Sequence, residues 1–95
     1  MSDVIDRAME AMEARFGDGF DGIAKFVIGE EGSVIVDEDG VRVGDDDAQV
    51  TLTAGVETFR AILDGDLSPT MAFMSGKLSI DGDMGLAMRL ASRMG

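Results

Sequence analysis

The sequence has no cysteine, histidine, tryptophan or tyrosine, and its single proline is Pro69. Without cysteine there is neither a disulfide framework nor a thiolate nucleophile, and without histidine the usual zinc and haem ligands are missing too. No basic cluster interleaves with the five phenylalanines, so there is no stacking platform for single-stranded nucleic acid. Basic residues are scarce: eight Lys and Arg against 19 Asp and Glu leave a net charge of −11. Such a surface repels phosphate backbones and anionic lipid head groups alike, which argues against nucleic acid as a partner. No apolar run approaches the roughly 18 residues of a membrane span. The start, Met1-Ser2-Asp3-Val4-Ile5-Asp6, lacks the basic and apolar regions of a signal peptide. These absences lead to the expectation of a cytoplasmic protein without stable membrane insertion.

What remains, 95 residues with 45% hydrophobic content, suits one globular domain over 1–95. From Asp3 to Phe16 the apolar residues Val4, Ile5, Ala8, Met9, Met12 and Phe16 recur at spacings of three and four, one face of an amphipathic helix that Gly17 ends. The period then changes to two. Ala24, Phe26 and Ile28, then Val34 and Val36, Val41 and Val43, and Val50 and Leu52 predict four short strands, and the short turns between them predict antiparallel neighbours. Val27 and Ile35 fall on the opposite parity, so the outer face is not uniformly polar. Thr53 can cap a helix through Val56, Phe59, Ile62 and Leu63 that closes at Gly65, and Ser68-Pro69 begins a shorter helix ending at Gly76. Lys77 to Asp81 reads as a fifth strand, which the long connection from strand four allows to pair in parallel. Asp83 can cap a last helix from Met84 to about Met94. On it Met84, Leu86, Ala87, Met88, Leu90, Ala91 and Met94 are apolar, a wider arc than covering one sheet requires.

The stretch Gly65-Asp66-Leu67-Ser68-Pro69-Thr70-Met71-Ala72-Phe73-Met74-Ser75-Gly76-Lys77-Leu78-Ser79-Ile80-Asp81-Gly82-Asp83-Met84-Gly85-Leu86-Ala87-Met88-Arg89-Leu90 resembles the signature of the sterol-carrier-protein-2 family. In that family a helix ending Ala-Phe-Met, a Gly-Lys-Leu strand and a Gly-Asp-Met helix start follow one another. The resemblance implies an α+β fold: a five-stranded, mostly antiparallel twisted sheet with helices packed on one face and an apolar tunnel between. It implies a lipid ligand, whether fatty acid, acyl-CoA, sterol, isoprenoid or quinone precursor, and a lining of Phe59, Met71, Phe73, Met74, Ile80, Met84, Ala87, Met88 and Ala91. It also implies a carrier or presenting module with no catalytic residues, cofactor or metal. Arg89 and Arg93 stand closest to the implied mouth. The ending Met94-Gly95 lacks the peroxisomal tripeptide of eukaryotic carriers, and the acidic charge favours handing a lipid to a protein acceptor over docking on anionic membranes.

Rival readings attach to particular residues. Gly17-Asp18-Gly19-Phe20-Asp21-Gly22 matches the dinucleotide fingerprint letter for letter, but a helix precedes it and a strand follows, the reverse of what pyrophosphate binding needs. Asp37-Glu38-Asp39-Gly40 and Asp45-Asp46-Asp47 offer hard oxygen ligands without calcium-loop spacing, and read as solvated turns. Acid–base catalysis would fall to carboxylates or to Lys25 and Lys77, and Lys77 starts a strand on the polar parity. The remaining alternative is an accessory module that docks onto an enzyme, or onto a second copy as a homodimer, through its uncovered last helix.

Overall fold

The computed structural model describes residues 3–94; Met1, Ser2 and Gly95, on which the reading of the targeting ends partly rests, lie outside the described residues. Helix α1 spans Asp3–Phe16 and buries Ile5, Ala8, Met12 and Phe16, the face foretold by its spacing. Asp3 and Asp6 lie in its first turn and Arg15 in its last, each complementing the helix dipole. It stops at Gly17, whose N–H bonds the Glu13 carbonyl at 2.8 Å. Gly19 follows with a φ of +99°, and any Cβ there would collide with the Glu38 carbonyl oxygen. The glycines after α1 thus let the chain turn against its neighbours.

Strands β1 (Ala24–Ile28), β2 (Gly32–Asp37), β3 (Gly40–Val43), β4 (Val50–Ala54) and β5 (Leu78–Gly82) form one sheet in the order β3-β2-β1-β4-β5. Cross-strand registry puts Phe26 beside Val34 and Leu52, and Leu52 beside Ile80. One face therefore carries a continuous apolar row. Helices α1, α2 (Val56–Leu63), α3 (Pro69–Met74) and α4 (Met84–Met94) bury that face: Phe16, Phe59, Ile62, Ala72, Leu86 and Leu90 share one core with Phe26, Val36 and Val50. Helix α1 lies over β2 and β3, α3 against β5, and α4 over β4 and β5. Ser68 caps α3, its hydroxyl accepting from Met71 N–H at 3.0 Å, and Asp83 caps α4 through Leu86 N–H at 3.1 Å.

Three local expectations are corrected. The parallel pair is β1 with β4, while β5 runs antiparallel to β4. The two expected helices do connect β4 to β5, but they bring the chain back to the end it left, so Leu78 starts opposite Ala54. Nor does β4 lie beside β3; the chain crosses the outer face to reach the far side of β1. Crossing three strand spacings takes about 14 Å, within the roughly 20 Å that residues 44–49 can span. Thr53 remains inside β4, and Gly55 stands at the start of α2 with no side-chain cap.

The crossing segment also explains the opposite-parity Ile35, which is fully buried. On the outer face Ile35 lies between Lys25 and Arg42, and Gly44 packs near its side chain. Lys25 bonds Asp45 at 3.0 Å, and Arg42 bonds Asp46 at 2.9 Å as well as Asp37. The Asp45-Asp46-Asp47 turn is therefore not wholly given over to solvent: its first two carboxylates pin a strap across the sheet. The Arg42 guanidinium beside Asp37 holds that carboxyl below its ordinary value of 3.8, assisted by the Asp39 and Gly40 N–H groups against partial burial.

Arg15 makes the widest polar link. Its guanidinium donates to Ala11 O at 3.2 Å, to Leu63 O at 2.8 Å and to Met94 O at 3.4 Å, so it meets carbonyls near the ends of α1, α2 and α4. Arg93 closes the same corner through Arg15 O at 2.7 Å and sits 4.8 Å above the Phe16 ring. Two outcomes follow from these contacts. Arg15→Met should cost about 2 kcal/mol, a charge-assisted hydrogen-bond set, and lower the melting temperature by roughly 10 °C for a domain of this size; calorimetry measures it, and an unchanged transition would refute the linking role. Because Asp37 titrates lower when folded than unfolded, its contribution is complete above the unfolded value and fades as pH falls through that value to the lower, folded one. Denaturant titrations of wild type and Asp37→Asn at a series of pH values should show a stability gap at about pH 6 that closes toward about pH 3.

Candidate functional site

Where α1 faces α2, small side chains on one helix meet large ones on the other. Val4, Ala8 and Ala11 of α1 stand across from Val56, Phe59 and Leu63 of α2, with Ile28 of β1 as floor and Arg7, Arg60 and Asp64 also lining the space. The two alanines leave it unfilled, and the result is an open groove of about 180 Å³. Phe59 is buried and packs edge-on against Phe26, ring centroids 6.0 Å apart. It joins the groove to the core between sheet and helices.

The nine lining residues implied by the family resemblance divide. Phe59 lines the groove. Ala87 is buried and Ile80 and Ala91 are partly so. Met71, Phe73, Met74, Met84 and Met88 are exposed, Met74 at 75% and Met88 at 70%. All five lie on α3 or α4, and none lines the α1–α2 groove. Arg89 and Arg93, expected near a mouth, are committed elsewhere: Arg89 pairs with Asp21 at 3.1 Å, and Arg93 pairs with Asp18 at 3.1 Å and donates to Gly19 O at 3.0 Å.

The sequence did contain a signal for the groove that composition alone obscures. Val4, Ala8 and Ala11 follow each other at four and three residues, a second stripe beside the buried one, and its small members mark a place where helices do not close up. The glycine fingerprint, by contrast, has spent its donors: Gly17, Gly19, Phe20 and Gly22 N–H groups already bond Glu13, Phe16, Asp37 and Phe20 carbonyls. That leaves a phosphate none of those four amides. Among the described residues no helix is long and apolar enough to cross a membrane.

Against known proteins, the profile of the SCP-2 sterol transfer family matches residues 7–94. The hydroxysteroid dehydrogenase-like protein 2 of Xenopus tropicalis is 40% identical over 82 residues, 78% of this chain. The chain spans 20% of that relative's length. The solution structure of palmitated sterol carrier protein 2-like 2 from Aedes aegypti superposes with a TM-score of 0.74 at 28% identity, over 99% of this chain and 95% of that one. The sterol carrier protein domain 2 of Helicoverpa armigera gives a TM-score of 0.76 at 28% identity, over 96% and 85%. The five-stranded sheet with its helices on one face is the fold of those carriers, and with nearly its whole length matched the chain belongs to the SCP-2 sterol transfer family.

Proposed function

We propose that this chain is a lipid-holding carrier or presentation protein that shelters an apolar tail and performs no chemistry on it. The observation that carries this reading is the apolar trough between α1 and α2, which leads past Phe59 toward the core. A palmitated relative of the same fold at 28% identity supports it. About 180 Å³ is less than the roughly 300–1,000 Å³ typical of small-molecule sites, so a long chain must extend beyond the groove. We place the continuation between sheet and helices, toward Ile80 and Ala87, where the flexible thioethers of Met71, Met74 and Met84 can fold over the ligand. The groove's ionisable groups are Arg7, Arg60 and Asp64, a set without an imidazole or thiol for acid–base or nucleophilic work.

Magnitudes limit the mode of binding. At about 25 cal/mol per Å², a tail burying about 300 Å² gains some 7 kcal/mol before the costs of association, against roughly 8 kcal/mol for micromolar affinity. Tail burial alone falls short. Further contact, from a longer path or from the head group, has to make up the difference. With a net charge of −11 transfer to a protein acceptor in the cytoplasm is favoured over delivery by contact with anionic bilayers.

A second reading is favoured by the exposed methionines. Met74 and Met88 present large apolar side chains to solvent, as a face that docks onto an enzyme or a second copy would. One experiment separates the two. In delipidated protein titrated with hexadecanol, Ala11→Trp should weaken binding by about tenfold or more by plugging the groove, while Met88→Glu leaves affinity unchanged. Loss of affinity in Met88→Glu alone would move the ligand to the α3–α4 side. No co-purifying lipid and no thermal shift with any acyl chain would sink the carrier reading. A dimer in sedimentation that Met88→Glu removes would establish the docking face.

A further inference from the structure

We propose that Arg7 and Arg60 form a head-group clamp that makes the groove selective for a long-chain monocarboxylate, that is, a free fatty acid anion; the proposal rests on the carrier reading above. Of the six arginines, four are engaged: Arg15 on helix-end carbonyls, Arg42 on Asp37 and Asp46, Arg89 on Asp21, and Arg93 on Asp18 and two carbonyls. Among the described residues Arg7 and Arg60 are the two arginines whose guanidinium groups have no hydrogen bond or ion pair. Both line the same groove. They come from different helices, α1 and α2, so no local repeat accounts for both lining it.

The surroundings make the vacancy informative. This chain carries 19 acidic residues, and several stand at helical pairing distance: Asp3 and Glu10 flank Arg7, and Glu57 and Asp64 flank Arg60. Spacings of three and four allow an exposed ion pair, and none forms here. Each arginine instead lines the trough, and the planar fork of donors on a guanidinium matches the two oxygens of a carboxylate. Asp64 lines the same space. Two positive charges and one negative leave a local charge near +1, which suits a single carboxylate. A CoA thioester brings several phosphate charges against the acidic surface, and a sterol or fatty alcohol leaves both arginines unused. The charges thus act as a filter at the point where a Met-rich or alanine-lined wall discriminates poorly among apolar tails.

Delipidated full-length chain titrated with palmitate, hexadecanol and palmitoyl-CoA tests this, with Arg7→Gln/Arg60→Gln and Asp64→Asn as variants. All three positions are exposed, so the folded state should be retained, and thermal unfolding checks that it is. Palmitate is expected to bind wild type about tenfold or more tightly than either hexadecanol or palmitoyl-CoA. In the double glutamine variant palmitate should fall to the level of hexadecanol, with hexadecanol itself unchanged. Asp64→Asn should narrow the gap between palmitate and palmitoyl-CoA. Equal binding of palmitate and hexadecanol by wild type, a palmitate affinity untouched by the double variant, or preference for palmitoyl-CoA each overturns the clamp while leaving the carrier reading standing. If neither palmitate nor hexadecanol binds, both fall together.

Discussion

Three helices approach one another end-on at a single guanidinium, and much of the helical layer's arrangement depends on that contact. Carbonyls near helix C-termini carry partial negative charge and lack intrahelical donors. Bringing those of α2 and α4 up to the last turn of α1 would gather unpaired acceptors beside a dry core. Arg15 donates to both, at Leu63 O and Met94 O, while also bonding Ala11 O in its own helix. Arg93, reaching from α4 to the carbonyl of Arg15 and over the Phe16 ring, closes the corner. That corner ties one end of α1 to α2, next to the alanine stripe.

The groove follows from this arrangement. Two helices pinned by a polar contact near their ends, over a sheet that both cover, need not interlock along their lengths. Ala8 and Ala11 leave space that a leucine in either position would fill. A carrier of the kind proposed above requires such incompletely packed space, and the fold leaves it beside a buried core. Stability and capacity are thus assigned to different parts of the same layer: Phe26, Val34, Val36 and Leu90 on one side of the division, Val4, Ala11 and Leu63 on the other.

Sequence periodicity sufficed for the elements and not for their neighbours. The extent of α1, the caps at Ser68 and Asp83, and the alternation that buries Phe26 and Leu52 are all local properties, visible in spacing and residue type. The pairing of β1 with β4 is not local: nothing in Val41 to Val50 announces that the chain will pass over Ile35 instead of turning back beside β3. Ile35 itself was the sign, an apolar residue on the polar parity awaiting a cover. The last helix is legible only in part. Its apolar arc is wider than one sheet needs, and the structure divides it: Leu86, Ala87 and Leu90 are buried, while Met84 and Met88 are exposed. Arg7 and Arg60 could not be separated from the other arginines by sequence, since being without a partner is a property of three dimensions.

The strap across the outer face has a kinetic side. Ala24 pairs with Val50 in the middle of the sheet, so the central seam joins strands that are distant along the chain, whereas β1–β2 and β2–β3 are short hairpins able to form early. Closing the seam also closes the strap, whose loop entropy is spent as the parallel ladder forms. In the folded chain Lys25 and Arg42 hold Asp45 and Asp46 over the sheet. Such attraction between exposed groups weakens as salt is added. The hold of the strap on the sheet is thereby coupled to ionic strength through four side chains that do not line the groove.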